Sequence, residues 1–117
     1  GARILIHDTR TALNCGPRGR PEQPPAIVLM TPPLMVSTPQ SLAWGYEGAD
    51  RKSQALGRRY LQLARELEVI AFDVQAVASP SSLDGIHFDS QAQQAIAAAL
   101  ADLIARELEP GRRQSPS

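Results

Sequence analysis

The chain has 117 residues, of which 43% are apolar, and its 12 basic and 12 acidic side chains cancel to a formal net charge of zero. This length and apolar content predict one small globular domain with a hydrophobic core. A neutral chain without a basic stripe lacks the charges that neutralise phosphates, so no nucleic-acid partner is expected. A small neutral or apolar substrate fits this charge balance better.

Cys15 is the only cysteine in the sequence, which excludes an intrachain disulfide and a metal site of clustered thiolates. We expect no metal and no cofactor. The longest apolar stretches, residues 27–30 and 95–101, are too short to span a membrane. Residues 1–6 show neither an initiator Met nor a signal-peptide pattern. We therefore expect the true N-terminus upstream, which leaves export undecided, with a cytoplasmic location favoured.

The first part of the chain predicts a helix, a loop and a buried strand. Apolar residues near helical spacing predict a short helix over residues 2–13, and a proline-rich loop follows over residues 17–25. The continuous apolar run at residues 26–30 predicts a central strand, buried on both faces of a parallel sheet. The prolines after this run lack amide donors, so the chain must leave the sheet there.

The middle of the chain predicts a second helix and a second strand between two loops. Residues 36–49 predict a long loop. From Asp50, apolar residues recur at spacings of three and four, which predicts an amphipathic helix of about four turns or more. Residues 69–72 predict a second buried strand, and residues 74–83 predict a mixed loop.

The last predicted element is a helix that begins near Asp89. Asp89 or Ser90 can cap it, and Ser90 with Gln93 has the spacing of a capping box. The residues of its predicted buried stripe are Ala92, Ile96, Leu100, Leu103, Ile104 and Leu108. Residues 110–117 predict a disordered polar tail, so the folded domain is expected to cover residues 1–109.

The alternation of helices and strands predicts an α/β fold with a parallel sheet, because parallel neighbours need helical crossovers. Two strands cannot make a stable sheet of this type, since their outer edges would lack partners. We therefore expect at least as many strands to come from outside this chain.

The sequence Asp84-Gly85-Ile86-His87 holds the pattern most typical of catalysis. In a hydrolytic triad a histidine takes the nucleophile's proton, and a carboxylate orients the imidazole ring. Three residues apart on a tight turn, Asp84 and His87 can meet, and Gly85 permits the sharp backbone path between them. The alternative is a structural turn in which the histidine bonds a backbone group. The surrounding α/β pattern favours the catalytic interpretation.

Other polar and aromatic residues are open to two interpretations. His7 lies on an amphipathic helix and receives no catalytic role. Asp73 follows a buried strand, where α/β enzymes place functional residues, but a turn or cap role is preferred. Trp44 and Tyr46 either cover the core or form an apolar wall for an acyl group.

Three stretches of the chain are informative together: residues 27–34 (IVLMTPPL), 46–52 (YEGADRK) and 84–88 (DGIHF). They resemble the C-terminal half of the GDSL or SGNH hydrolases, and the aryl-esterase and acyltransferase branch in particular. Their order and separations also fit, so the resemblance covers about residues 1–109. It implies half of a flavodoxin-like three-layer α/β/α sandwich and the activity of a serine esterase.

The resemblance also implies roles for single residues. Asp84 would be the triad acid and His87 the general base. The residues it places near the acyl pocket are Leu42, Trp44, Tyr46 and Ile86. The family's serine nucleophile and the glycine and asparagine of its oxyanion hole have no counterpart in this chain, and no serine present is predicted to lie in a strand-turn-helix elbow.

Two hypotheses follow for the function of the chain. In the first, it is part of a serine esterase or acyltransferase for small acyl or aryl esters, completed by a missing N-terminal half or by a partner chain that supplies it. In the second, it is a non-catalytic structural or interaction unit, inactive alone. A Gly-Asp-Ser turn followed by Gly-x-Asn-Asp upstream would establish the first. The oligomeric state, a homo-oligomer included, stays open.

Overall fold

The computed structural model describes residues 1–12 and 25–108. Residues 17–24 of the predicted proline-rich loop and the predicted tail, residues 110–117, lie outside the described residues. The elements in chain order are α1 (Ala2–Thr11), β1 (Val28–Met30), α2 (Pro39–Ala43), α3 (Ala49–Glu66), β2 (Ile70–Phe72), α4 (Val74–Val77) and α5 (Ser90–Glu107).

The two strands form a parallel pair, and α3 lies in the crossover between them. The register pairs Val28 with Ile70, Leu29 with Ala71, and Met30 with Phe72. The ladder continues for one more bond, in which the amide of Thr31 donates to the carbonyl of Phe72 at 2.9 Å. It stops there because Pro32 has no amide hydrogen. The predicted α/β fold with a parallel sheet is confirmed.

The prediction that the first strand is buried on both faces and the second is buried is wrong for the part of the chain that the structure describes. Met30 is 40% exposed, and Ala71 is also exposed. Phe72 is the one strand residue that is fully buried. The physical reason is that residues 25–108 form a sheet of only two strands, so each strand has one edge without a partner strand.

The small core lies where α3 packs against the sheet. One face of α3 is buried at Ser53, Gly57 and Ala64, which follow helical spacing. These residues are small, so the helix backbone approaches the sheet closely. Helix α1 is held beside this layer by its one buried residue, Ile6, and by an ion pair of 2.7 Å between Arg3 Nη2 and Glu66 Oε2.

Helix α5 begins with one of its two predicted caps and differs from its prediction in two ways. Its cap is Asp89, whose Oδ1 accepts a hydrogen bond of 2.7 Å from the amide of Ala92. The capping box predicted from Ser90 and Gln93 is wrong, because Ser90 is already the first helical residue. The predicted buried stripe is also wrong, since no residue of α5 is fully buried and Ile104 remains 38% exposed. The two-stranded sheet is too narrow to cover this helix.

Two short helices occupy segments that were predicted to be loops. In α2 the hydroxyl of Thr38 accepts from the amide of Ser41 at 3.0 Å, and in α4 Oδ1 of Asp73 accepts from the amide of Gln75 at 3.1 Å. Asp73 therefore has the cap role preferred for it. A single capped turn is too short to show helical periodicity in a sequence. Among the helices of residues 1–12 and 25–108, none is both long and apolar enough to cross a membrane.

Candidate active site

The predicted catalytic residues lie on a closed turn between α4 and α5. The amide of Ser81 donates to the carbonyl of His87 at 2.7 Å, and the amide of Gly85 donates to the carbonyl of Ser81 at 2.8 Å. The amide of Leu83 donates to the hydroxyl of Ser81 at 3.1 Å. These bonds fix the backbone on both sides of Asp84, so the turn presents its side chains in a set orientation.

Asp84 and His87 are brought together by this turn. One carboxylate oxygen, Oδ1, accepts the amides of Ile86 at 2.9 Å and of His87 at 3.0 Å. The other, Oδ2, lies 2.7 Å from His87 Nδ1. The carboxylate therefore orients the turn with one oxygen and the imidazole with the other.

Hydrogen bonds also set the charge of the carboxylate. The backbone amide of Ile86, then the ring of His87 and then its backbone amide lower the pKa of Asp84 to about 2. Asp84 is therefore ionised at neutral pH, and an ionised carboxylate can only accept, so Nδ1 of the ring carries a hydrogen. In the neutral ring, Nε2 is then the basic nitrogen.

The two side chains differ in exposure in the way that such a role requires. The side chain of Asp84 is 19% exposed, whereas that of His87 is 74% exposed. Within the described residues, the one side-chain hydrogen bond of the imidazole is the bond through Nδ1. This arrangement can accept a proton from a nucleophile that approaches the exposed side of the ring.

Gly85 is required at its position for two reasons. Its φ of +72° lies in the left-handed region, and a Cβ there would collide with the carbonyl oxygen of Val36. The two segments are also joined by a hydrogen bond of 2.9 Å from the amide of Val36 to the carbonyl of Gly85. The turn therefore rests directly on the segment that follows β1.

The four predicted substrate residues do not share one site in the described part of the chain. Ile86 lines a mostly apolar cavity of about 420 Å³. The other residues that line this cavity are Pro32, Pro33, Met35, Ala49, Lys52, Ser53 and Leu56. Leu42, Trp44 and Tyr46 are outside this lining, on and just after α2, and each is about half exposed.

Two polar residues that the sequence did not mark hold the segment after β1, against which the turn lies. Ser53 accepts the amide of Met35 on its hydroxyl at 2.9 Å. The Gln75 side chain donates to the carbonyls of Pro32 and Ser53, both at 2.9 Å. Neither residue belongs to a recognisable motif, and their partners are backbone groups distant in sequence, so no sequence signal marked them.

A metal centre is not formed by these residues. Residues 1–12 and 25–108 contain no group of three or more His, Cys, Asp or Glu side chains placed to hold a metal ion. The chemistry available to the turn is that of a carboxylate and an imidazole in contact.

Comparison with known proteins relates the fold of this chain to esterases of known structure. No protein-family profile and no curated protein matches the chain. Among solved structures, it is similar to a candidate arylesterase from Agrobacterium tumefaciens, with 34% identity and a TM-score of 0.72, over 90% of this chain and 48% of that one. It is also similar to the aryl esterase of M. smegmatis, with 27% identity and a TM-score of 0.72, over 90% and 48% of the two chains.

A third similar structure is a carbohydrate acetylesterase from Sinorhizobium meliloti, with 26% identity and a TM-score of 0.71, over 90% of this chain and 50% of that one. The chain spans about half the length of the solved structures that it matches. Its relation to the SGNH esterases, expected from three short stretches of sequence, is thereby confirmed over nearly all of its own length. The chain is related to the SGNH esterases and has the fold of about half of one such domain.

Proposed function

We propose that this chain supplies the acid and the base of a serine ester hydrolase that acts on small acyl or aryl esters. Asp84 is the triad acid and His87 is the general base. The observation that carries the proposal is the contact of 2.7 Å between Asp84 Oδ2 and His87 Nδ1, on a turn that leaves the ring largely exposed. The esterase relatives supply the reaction class.

In this proposal the nucleophile is a serine outside residues 1–117. Its hydroxyl loses a proton to Nε2 of His87 as its oxygen bonds to the ester carbonyl carbon. The tetrahedral oxyanion then collapses, the bond to the alcohol breaks, and Nε2 returns the proton to the leaving oxygen. Water, or another alcohol, repeats the sequence and releases the acyl group. Asp84 stays ionised throughout and stabilises the imidazolium.

Two of the seven serines within the described residues, Ser41 and Ser53, are unsuited to be the nucleophile. A serine nucleophile needs a hydroxyl that can donate its hydrogen to the general base. The hydroxyls of Ser41 and Ser53 are both engaged, with the carbonyls of Thr38 at 3.0 Å and Asp50 at 2.8 Å. Both serines are also buried. The proposal therefore takes its serine from a completing segment, either upstream in the same polypeptide or on a partner.

The substrate side of the proposal rests on the cavity next to the turn. Its lining is mostly apolar and includes Ile86, the neighbour of His87, with Lys52 as its one charged residue. A volume of about 420 Å³ suits a small acyl or aryl group. The cavity lining does not include Leu42, Trp44 or Tyr46. A bound acyl or aryl group would contact these residues only across a surface that extends beyond the cavity.

The test uses the protein expressed from its full reading frame. It should hydrolyse p-nitrophenyl acetate, and a fluorophosphonate probe should label one serine outside the 117 residues. His87→Ala should abolish labelling and turnover, and Asp84→Asn should lower kcat by about 10³- to 10⁴-fold. His7→Ala is the matched control, because His7 lies on α1 and should leave kcat unchanged. Full activity in His87→Ala, or probe attached to a serine within residues 1–117, would contradict the proposal.

A further inference from the structure

The carboxamide of Gln75 lies between α3 and the exit of β1. Its nitrogen, Nε2, donates to the carbonyl of Pro32 at 2.9 Å and to the carbonyl of Ser53 at 2.9 Å. An amide nitrogen has two hydrogens, and both are used here. Carbonyl oxygens only accept, so the orientation of this carboxamide is fixed by its two partners. Gln75 thus ties the end of β1 to α3.

Gly57 provides the space for this carboxamide. A Cβ at position 57 would lie 2.6 Å from Nε2 of Gln75 and 2.9 Å from its Oε1. Glycine is unfavourable inside a helix relative to alanine, yet it stands on the buried face of α3 where the carboxamide enters. Gly57 and Gln75 therefore form a packed pair, in which a side chain at position 57 would displace the carboxamide.

A continuous set of contacts leads from the pair of Gly57 and Gln75 to the candidate catalytic turn. Beyond Pro32, the same segment is held by the hydroxyl of Ser53, which accepts the amide of Met35 at 2.9 Å. The next residue, Val36, bonds Gly85 through its amide at 2.9 Å, and its carbonyl oxygen leaves no room for a side chain at position 85. A shift of the segment at residues 32–36 must therefore move the turn at residues 84–87.

We infer that Gln75 is a positioning residue for His87, acting through residues 32–36, and that Gly57 is the space this role requires. The inference rests on the proposed function for its catalytic consequence. Gln75 touches neither His87 nor Asp84 in the described hydrogen bonds; its effect is on where the turn presents the imidazole. A misplacement of about 1 Å at a reacting group can lower a rate by about 100-fold.

The test uses two single variants, their double variant and one control, all in the protein from its full reading frame. Gln75→Met keeps the side-chain length but removes both donors, and Gly57→Ala displaces the carboxamide without removing it. Each should lower kcat for p-nitrophenyl acetate by about 10-fold or more. The kcat of the double variant should be no lower than that of the poorer single variant, because both changes disturb the same carboxamide. Gln62→Met is the matched control, since Gln62 is an exposed glutamine of α3, and it should leave kcat unchanged.

A second measurement separates this inference from the proposed function. The ring resonances of His87 in NMR spectra should shift in Gln75→Met and Gly57→Ala, and should not shift in Gln62→Met. This result is expected even if the protein hydrolyses no ester, an outcome that would remove the proposed function alone. If Gln75→Met does not fold, Gly57→Ala decides. Unchanged kcat and unchanged His87 resonances in the folded variants, or losses of kcat that multiply in the double variant, would overturn the inference.

Discussion

The two carboxylate oxygens of Asp84 have different partners. Oδ1 receives the amides of Ile86 and His87 and so shapes the turn, whereas Oδ2 receives the imidazole. A carboxylate that accepts backbone amides keeps its charge to low pH whether or not the ring is present. The turn and the ring orientation can therefore be separated by experiment.

The first prediction concerns the titration of Asp84. In His87→Ala its pKa should rise above the present value of about 2 but stay below the ordinary 3.8, because the amide of Ile86 is the largest cause of the lowering. The Cγ resonance of Asp84, followed by NMR against pH, measures this midpoint, and His7→Ala should leave it unmoved. A midpoint at 3.8 in His87→Ala would show that the ring alone lowers the pKa.

The same shift sets the direction of a pH effect on stability. The pKa of Asp84 is about 2 in the folded chain against 3.8 for the free side chain, so the folded state favours the ionised form. The stabilising contribution is complete above about pH 4 and is lost as the pH falls towards 2. Asp84→Asn should therefore weaken the dependence of the unfolding free energy on pH between 4 and 2, as urea titrations at each pH would measure.

The second prediction compares two glycines with left-handed backbones. Gly45 has a φ of +87° with open space around it, and Gly85 has a φ of +72° with the carbonyl of Val36 in the way. Gly45→Ala should cost about 1 kcal/mol from backbone strain alone. Gly85→Ala should cost about 3 kcal/mol or more, because strain and collision add. Equal losses in urea unfolding would mean that the segment after β1 yields to the new methyl group.

At the scale of elements, sequence patterns predicted what is long and periodic. Helix α3 and helix α5 each run for 18 residues, enough for an apolar spacing to repeat, and β1 is marked by its prolines. The single turns α2 and α4 depend on one cap each and give no such repeat. Asp84 and His87 are three residues apart, so their contact could be predicted from the sequence alone.

The hydrogen bonds that hold the segment next to the turn of Asp84 and His87 could not be predicted from the sequence. Gln75 bonds carbonyls 43 and 22 residues away in sequence, and every residue has a carbonyl. Nothing in the residue types chooses those partners; the packing of α3 on the sheet does. Gly57 is also unexplained by the sequence, because glycine destabilises a helix interior. Its reason is the Gln75 carboxamide, which occupies the space of a side chain at position 57.

The third prediction tests the cap of α5. Asp89→Ala should lower the unfolding free energy by about 1 kcal/mol, because the amide of Ala92 loses its acceptor and a carboxylate leaves the positive end of the helix dipole. Ser90→Ala is the control, since Ser90 is the first helical residue and makes no capping bond. Urea unfolding of both variants gives the comparison. A larger loss in Ser90→Ala would restore the capping box that the sequence suggested.

At the scale of the molecule, the described residues leave apolar surface uncovered. Met30 on the sheet and Ile104 and Leu108 on or just after α5 are each close to two-fifths exposed, and α5 contains no fully buried residue. The parallel sheet of an α/β domain is normally covered on both faces and has more than two strands. The proposed completing segment, with its further strands, would extend the narrow sheet and cover this side of α5.

The last prediction follows from that proposal. In the protein from its full reading frame, Ile104→Ala should lower the unfolding free energy by about 2–4 kcal/mol, the loss expected for a fully buried isoleucine. Ala98→Ser, an exposed position on the same helix, should stay within about 0.5 kcal/mol of the unchanged protein. The 117-residue chain alone should bind the dye ANS, whereas the full protein should bind little, because only the chain alone presents this surface to solvent. If Ile104→Ala and Ala98→Ser unfold at the same urea concentration, Ile104 is as exposed in the whole protein as it is here, and the completing segment does not pack on α5.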